Sequence, residues 1–416
     1  MKKAGCLPVT LLALLVSTVC VCGCTSGTTA TPPEVSNGRI EPPYDWADPG
    51  LPARLDLALR LWAEDSGLFG AAAAVRTPGW LDWSGSFGVQ DIDTREPYAV
   101  DTVGRVASAT KPFTSTLILQ LADEGRLSLD TTLAEFLREY PNGENITVEH
   151  LLRHRSGIPE IQLVDGFFIL SILFRPHRWI APREILEWTY IPLPILDINS
   201  GELVPRGPVS EPGGNYHYSQ PGYIALGLMI EEVTGLELAE AYRERIFEPL
   251  GLTGTHLPRR GDPLDPAGYT NLFGLLDEKV PGDTLVDSAN GLNSASWSAG
   301  GMISTARDLV TFLSAMLEGC LFSPAALANA TDWRTIEPGD IVEGGEYGMG
   351  LFRNQEETYT AIGHDGALPG GGSVMKYLTE LDVYVGAVTN TDRDWGDFPT
   401  LEERVRRALR NEDQGG

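Results

Sequence analysis

The sequence predicts an α/β protein of the α+β kind, in which one antiparallel sheet is flanked by N- and C-terminal helices and a mainly helical lobe is inserted at roughly 112–300. Three observations carry this. Strand-like runs at 71–75 and 81–87 stand near the start of the chain, separated by the turn signal Thr77-Pro78-Gly79-Trp80. Three more, at 358–364, 373–378 and 383–388, stand near its end and are joined by short turns. Between the two groups the apolar residues recur at helical spacing, as at 114–122 and 224–233. Strands supplied by both ends of a chain, with helices between them, imply one sheet assembled from the termini.

Taken in order, residues 1–23 read as an export signal. Lys2 and Lys3 form a positive start, and the apolar run 7–21 is too short and wrongly flanked for a membrane span. The run ends Val21-Cys22-Gly23-Cys24, which resembles a bacterial lipobox and makes Cys24 the expected lipidated residue. Cys22 departs from the small or hydroxyl residue usual at its position, so ordinary secretion is the alternative. The expected location is extracytoplasmic, on the membrane through a lipid anchor. Residues 24–51, rich in Thr, Ser, Pro and Gly, read as a solvated tether. The remaining domain, 52–416, is long enough for a sizeable core and two lobes.

Within that domain, 53–65 has helical spacing and precedes the first two strands. Pro112 is confined to the first turn of the helix at 114–122, which sets Lys111 near its N-terminus. There the helix dipole disfavours an ammonium and favours an anion. The last three strands are followed by a helix at 401–409. The formal net charge of -26 excludes nucleic acid as a partner, because phosphates would be repelled. Four of the five cysteines lie in the signal, leaving Cys320 to be read as a buried packing thiol.

The chemistry starts from a rarity. Lysine occurs five times in 416 residues, and one of the three outside the signal closes Ser108-Ala109-Thr110-Lys111. On a helix, i and i+3 share a face, so the amine can reach the hydroxyl. A desolvated, neutral lysine is one way to activate a serine nucleophile. Two further segments add a phenol, an imidazole and open backbone amides: 211–223, with Tyr218 and Gln220, and Ile362-Gly363-His364-Asp365-Gly366-Ala367 before a Gly-rich turn. Together they are the parts of an acyl-transfer site.

These motifs resemble those of the penicillin-recognising serine hydrolases of class C β-lactamase fold, a family of D-alanyl-D-alanine carboxypeptidases, β-lactamases and related esterases. The family order S-x-x-K, Y-x-N, [KH]-x-G is matched by Ser108 to Lys111, Tyr218 to Gln220 and His364 to Gly366, with further likeness at 124–130, 151–157, 249–252 and 299–305. The resemblance implies that Ser108 is acylated, Lys111 is its base or proton relay, and Tyr218 passes the proton to the leaving group and helps activate water. It implies an oxyanion hole from the N–H groups of Ser108 and Ala367. Gln220 departs from the Asn that usually binds the substrate amide. Asp365 departs from the usual Thr near the place where a substrate carboxylate docks. An anion there would repel such substrates unless a protonated His364 pairs with it.

The expected activity is that of a D-alanyl-D-alanine carboxypeptidase-like serine hydrolase, with an esterase on non-carboxylated esters as the alternative. A non-catalytic peptidoglycan-binding or regulatory protein is the second alternative. The expected partner is a small-molecule or peptide acyl donor, the peptidoglycan stem peptide among the candidates; no metal or organic cofactor is called for. His150 and His154 have i, i+4 spacing but lack the Glu of a zinc motif. Alternation turns Tyr218 inward and leaves Tyr216 either packed or facing the site. Asn145-Ile146-Thr147 reads as a loop before the next helix. The apolar run 166–174 reads as core of the helical lobe, and the Pro-punctuated 191–208 as a loop that shapes substrate selectivity.

Overall fold

The computed structural model describes residue 45 and residues 47–77, 81–173, 175, 178–198, 200–262, 268–270, 284–285, 289–340, 344–391 and 400–414. The chain divides into Met1–Val35, outside these residues, and Ser36–Gly416, which holds every element below. The expected signal, Cys24 and most of the expected tether therefore lie outside the described residues.

Nine strands form one antiparallel sheet: β1 (Gly70–Thr77), β2 (Leu81–Gly88), β3 (Arg334–Thr335), β4 (Glu346–Tyr347), β5 (Phe352–Gln355), β6 (Thr360–Gly363), β7 (Gly366–Leu368), β8 (Gly371–Leu378) and β9 (Val383–Thr389). Their order is β2-β1-β9-β8-β6-β5-β4-β3, with β7 also paired to β8. The first strand pairs directly with the last, Ala73 opposite Ala387, and β2 lies outside it at the edge, so strands from both ends of the chain share one sheet.

Period-two alternation sorts the strand residues between two cores. Ala71, Ala73 and Val75 bury against one face, with Val383, Val385 and Ala387. That face is covered by α1 (Leu51–Asp65) and by α7 (Leu401–Leu409), the last helix. Helix α1 starts with Pro52 in its first turn and buries Leu51, Leu55, Ala58, Leu59, Trp62 and Ala63, a stripe of three- and four-residue steps. Ala72 and Ala74 turn to the opposite face, with Tyr384 and Val388, under helix α6 (Ala306–Leu317). A strand buried on both faces reads as a continuous apolar run, and alanine leaves room for helices on either side. Gly386 marks the closest approach: a Cβ there would stand 2.7 Å from the Ala306 carbonyl.

The segment between β2 and β3 carries most of the helices, among them α2 (Lys111–Asp123), α3 (Gly166–Leu173), α4 (Gln220–Thr234) and α5 (Ala289–Gly300). Helix α3 corrects the reading of 166–174 as core. Phe168 and Ile172 are buried, but Phe167 and Leu170 are 44% and 42% exposed, because an eight-residue helix laid on the lobe can bury only one side. No helix among the described residues is long and apolar enough to cross a membrane. Cys320 is likewise corrected: the chain leaves α6 through Gly319, at φ +74, and the thiol is exposed. Thr147 caps the short helix Val148–Leu152, accepting the His150 N–H, so the Asn145–Thr147 stretch is the expected loop before a helix.

Candidate active site

Three elements converge on one corner of the sheet. Ser108 stands in a 3-10 turn, Ala107–Thr110, that feeds directly into α2. Ala107 holds φ +47, a left-handed conformation that costs a non-glycine residue roughly 1 kcal/mol or more and persists only where its surroundings enforce it. The enforcement is visible. The Val106 N–H donates to the Met302 carbonyl at 3.1 Å, and the Val106 carbonyl accepts from Ser373 Oγ at 2.7 Å. Strand β7 presses on the same turn: a Cβ on Gly366 would stand 2.0 Å from the Val106 carbonyl oxygen and 2.9 Å from the Ser108 nitrogen. Only glycine fits there. Ala367, one residue on, is exposed on β7.

Lys111 is the first residue of α2 and fully buried. Its Nζ lies 3.1 Å from Ser108 Oγ and donates to the Ala299 carbonyl at 2.8 Å. That carbonyl is open because α5 ends one residue on, at Gly300; the Ser298 carbonyl, in the same last turn, accepts from Thr114 Oγ1. Burial pulls the Lys111 ammonium down to about 7, against the opposing pull of Glu160. Neutral amine is then available near pH 7.

Tyr218 completes the centre, its hydroxyl donating to Ser108 Oγ at 2.8 Å while its ring lies 4.6 Å from Lys111 Nζ. Burial pushes its phenol far up, so it stays protonated and acts as a donor. Tyr216 is packed rather than at the nucleophile, edge-on to His154 and tilted against Tyr347. The main chain beside Tyr218 is held at three successive N–H groups. Tyr218 N–H points to the Asp340 carboxylate at 3.3 Å, Ser219 N–H to His154 Nδ1 at 3.1 Å, and Gln220 N–H to Glu160 Oε2 at 2.6 Å. Gln220 is buried as the first residue of α4, its Oε1 close to Gly300.

Of the two possibilities left open at Asp365, pairing with a protonated His364 is not the one found. His364 is buried against Phe352 and Tyr347, and burial with Lys111 nearby pushes its imidazole well below the usual range. It is neutral, and Nδ1–H donates to the Asp365 carbonyl at 2.6 Å. The Asp365 carboxylate pairs instead with Lys376 Nζ on β8, at 2.9 Å. The lysine is buried and the carboxylate half exposed. A metal role for His150 and His154 also fails on position. His150 Nδ1 accepts the Thr147 N–H, whereas His154 is stacked among Tyr218, Tyr223 and Tyr347. No group of three metal-ligating side chains occurs among the described residues.

Beside Tyr218 opens a cavity of about 300 Å³. Its described lining is apolar at Val164, Ile195, Val204 and Val209 and acidic at Glu160, Asp197 and Asp340; His217 is there, and no lysine or arginine. One wall comes from the 191–208 segment, pinned from behind by the buried Arg206–Asp165 pair at 2.6 Å. Sequence reasoning missed Glu160, His154, Asp340 and Lys376. Two left a trace: Glu160 is an acid in the apolar run Ile158-Pro159-Glu160-Ile161, and Lys376 is one of five lysines, set in an apolar strand.

Known proteins share this fold. The Beta-lactamase family model matches residues 60–410. Penicillin-binding protein 4* of Bacillus subtilis (strain 168) is 25% identical over 300 residues, covering 70% of this chain and 61% of its own. Esterase EstB of Burkholderia gladioli is 28% identical over 208 residues, covering 49% and 50%. The chain thus spans between half and two thirds of the length of these relatives. The D-amino acid amidase of Ochrobactrum anthropi SV3, solved with L-phenylalanine amide, superposes with a TM-score of 0.70 at 25% identity, covering 87% of this chain and 99% of that one. The chain belongs to the Beta-lactamase family of serine β-lactamase and penicillin-binding-protein-like hydrolases.

Proposed function

We propose that this Beta-lactamase family member hydrolyses amides or esters through an acyl-enzyme on Ser108. The observation that carries the reading is the convergence of Lys111 Nζ and the Tyr218 hydroxyl on one serine oxygen, at 3.1 and 2.8 Å. Neutral Lys111 takes the Ser108 proton as Oγ bonds to the substrate carbonyl carbon, and the carbonyl electron pair moves onto oxygen. The N–H groups of Ser108 and Ala367 receive that oxyanion; the tight seating of Gly366 on the serine turn supports this role. On collapse, the leaving group departs with the proton held by Lys111, passed through the Tyr218 hydroxyl. Water, deprotonated by the same pair, then cleaves the Ser108 ester.

The acyl donors best supported are those without a carboxylate near the scissile bond. The cavity beside Tyr218 has three carboxylates in its described lining, and Asp365, next to His364 in the chain, exposes another while its lysine partner is buried. Gln220, buried and bound through its main chain, gives no support to the side-chain role expected for it. The names of the esterase and the D-amino acid amidase point the same way. The D-alanyl-D-alanine carboxypeptidase reading rests on the penicillin-binding relative. The protein is incubated with neutral and carboxylated nitrophenyl esters and with a fluorescent penicillin, alongside Ser108→Ala. Ester turnover through a mass adduct absent from the variant is expected, with the neutral ester ahead. Penicillin labelling with a carboxylated donor ahead would reverse the substrate assignment, and no adduct with any donor would sink the hydrolase reading.

We place the enzyme outside the cytoplasmic membrane, held by a lipid on Cys24, on the strength of the charged start, apolar run and cysteine of residues 1–24. Palmitate labelling that survives Cys24→Ala would overturn the anchor.

A further inference from the structure

Glu160 is a buried carboxylate for which the acyl-transfer chemistry above has no use. It is 8% exposed, and its three hydrogen bonds are all from main-chain N–H groups. Oε1 accepts the N–H groups of Gln162 at 2.6 Å and Leu163 at 3.0 Å, which fixes the carboxylate on its own turn. Oε2 accepts the Gln220 N–H at 2.6 Å, two residues past the tyrosine that binds the nucleophile. A carboxylate is a costly way to satisfy three amides if that is all it does, since burying an unpaired charge is unfavourable. A buried cation stands in the same corner, and each group acts electrostatically on the other.

We propose that Glu160 is a positioning residue of this hydrolase: it clamps the Tyr218–Gln220 main chain onto the nucleophile and supplies the buried negative charge that stabilises Lys111 once that lysine has taken the serine proton. The inference rests on the acyl-enzyme reading. Lys111 faces Ser108 and the Ala299 carbonyl, the rings of Tyr218 and Tyr223, and two imidazoles, His154 and His364. Burial holds both imidazoles far below their usual range and both phenols above theirs, so these four are neutral at pH 7. Burial also raises the Glu160 carboxyl, against the pull of its three N–H donors and of Lys111; as a carboxylate it is the anion that acts on this ammonium and opposes the desolvation that pulls Lys111 down. Its loss should make Lys111 a more available but weaker base: the amine loses its proton at lower pH, and the transition state in which it gains one is less stable.

The test uses the full chain with lysine labelled at Cε by carbon-13, whose signal follows Nζ protonation; five lysines keep the spectrum sparse, and Lys111→Arg identifies the signal. In Glu160→Gln the Lys111 midpoint should fall by roughly half to one pH unit, and the acid limb of kcat/KM for a neutral nitrophenyl ester should move with it. The kcat plateau should drop about tenfold, because an amide cannot accept all three N–H groups. Glu160→Asp keeps the charge and shortens the clamp: kcat should fall while the midpoint stays within about 0.3 unit of the wild type. An unmoved Lys111 midpoint in folded Glu160→Gln overturns the charge role. Should that variant not fold, an unchanged kcat in Glu160→Asp overturns the clamp. The NMR measurement needs no turnover, so a wild type that forms no acyl-enzyme defeats the hydrolase reading while the midpoint still decides whether Glu160 and Lys111 are paired.

Discussion

The catalytic corner and the mouth beside it are built from the same kinds of residue and behave in opposite ways. At the corner, Lys111, Tyr218, His154 and Glu160 are buried, and the Lys111 amine ties Ser108 to the Ala299 carbonyl on a second element. At the mouth of the cavity beside it, Leu193, Ile198, Leu203 and Val209 stand in solvent between 44% and 62% exposed, and Asp365, on the Lys376 side of the sheet, is 54% exposed. Burial turns ionisable groups into reagents, because desolvation moves their protonation to where chemistry needs it. Exposure leaves them as filters that sort substrates by charge. Reaction and selectivity are thus carried by different physics a few residues apart, and each can be broken without the other.

The largest break is at the corner. Ser108→Ala should lower kcat by about ten-thousand-fold and abolish the mass adduct, while leaving the fold and its melting temperature near the wild type. Tyr218→Phe removes one hydrogen-bond donor and should cost about a hundredfold in kcat with little change in KM; an equal loss expressed in KM alone would move Tyr218 from the chemistry to substrate binding. The pH profile reads the same corner. Only the neutral amine of Lys111 accepts a proton, and its midpoint lies at about 7. The rate should therefore fall close to tenfold per unit as pH drops below that value and level off above it. An acid limb near 4.5 instead would point to a carboxylate base.

How legible this was in the sequence follows the same division. The sheet was readable because β1 and β9 are apolar on both faces and β8 nearly so, and α7 because its amphipathic pattern is strong. Strand limits drifted where side chains outside the ladder are also apolar, as at Tyr359, buried but one residue before β6. Ser108, Lys111 and Tyr218 were readable from local spacing and motif order. Glu160, Asp340 and Lys376 were not, because what matters about them is a partner 60, 122 or 11 positions away. The state of His364 stayed open for that reason: its neutrality follows from Phe352, Tyr347 and Lys111, which only the fold brings near. Cys320 failed on a turn, since Gly319 swings the thiol outward from a helix that is otherwise apolar.

The wall of the mouth can be broken next. Arg206 and Asp165 form an ion pair whose side chains are 2% and 0% exposed, and Arg206 also donates to the carbonyls of Trp188, Leu193 and Pro194. Arg206→Ala would strand a buried carboxylate and three carbonyls, at a cost of about 3 kcal/mol. Because the wall and the corner are separate structures, the KM for neutral esters should rise several-fold while kcat holds within about threefold. A collapse of kcat matching that of Tyr218→Phe would show that the wall and the corner are one unit.

The smallest effect is the most discriminating. Asp365→Asn removes the exposed anion but leaves Lys376 buried, which for an isolated pair would cost about 3 kcal/mol or more. Glu402 on α7 stands near the same lysine, itself buried, with its carboxyl pushed up to about 7 by burial and by the charge of Asp365. Removing Asp365 lifts that repulsion, so the Glu402 midpoint should fall and its carboxylate should take over Lys376. The net cost, discounted also for the exposure of Asp365, should be about 1 kcal/mol by urea unfolding at pH 7. The double variant Asp365→Asn, Glu402→Gln should lose more than the two single costs together, because each carboxylate covers for the other. Selectivity should move the other way. With the anion gone, kcat/KM for a carboxylated ester should rise about three- to tenfold relative to its neutral counterpart. A ratio that does not move would take Asp365 out of the filter and leave the acidic cavity beside Tyr218 to account for substrate charge alone.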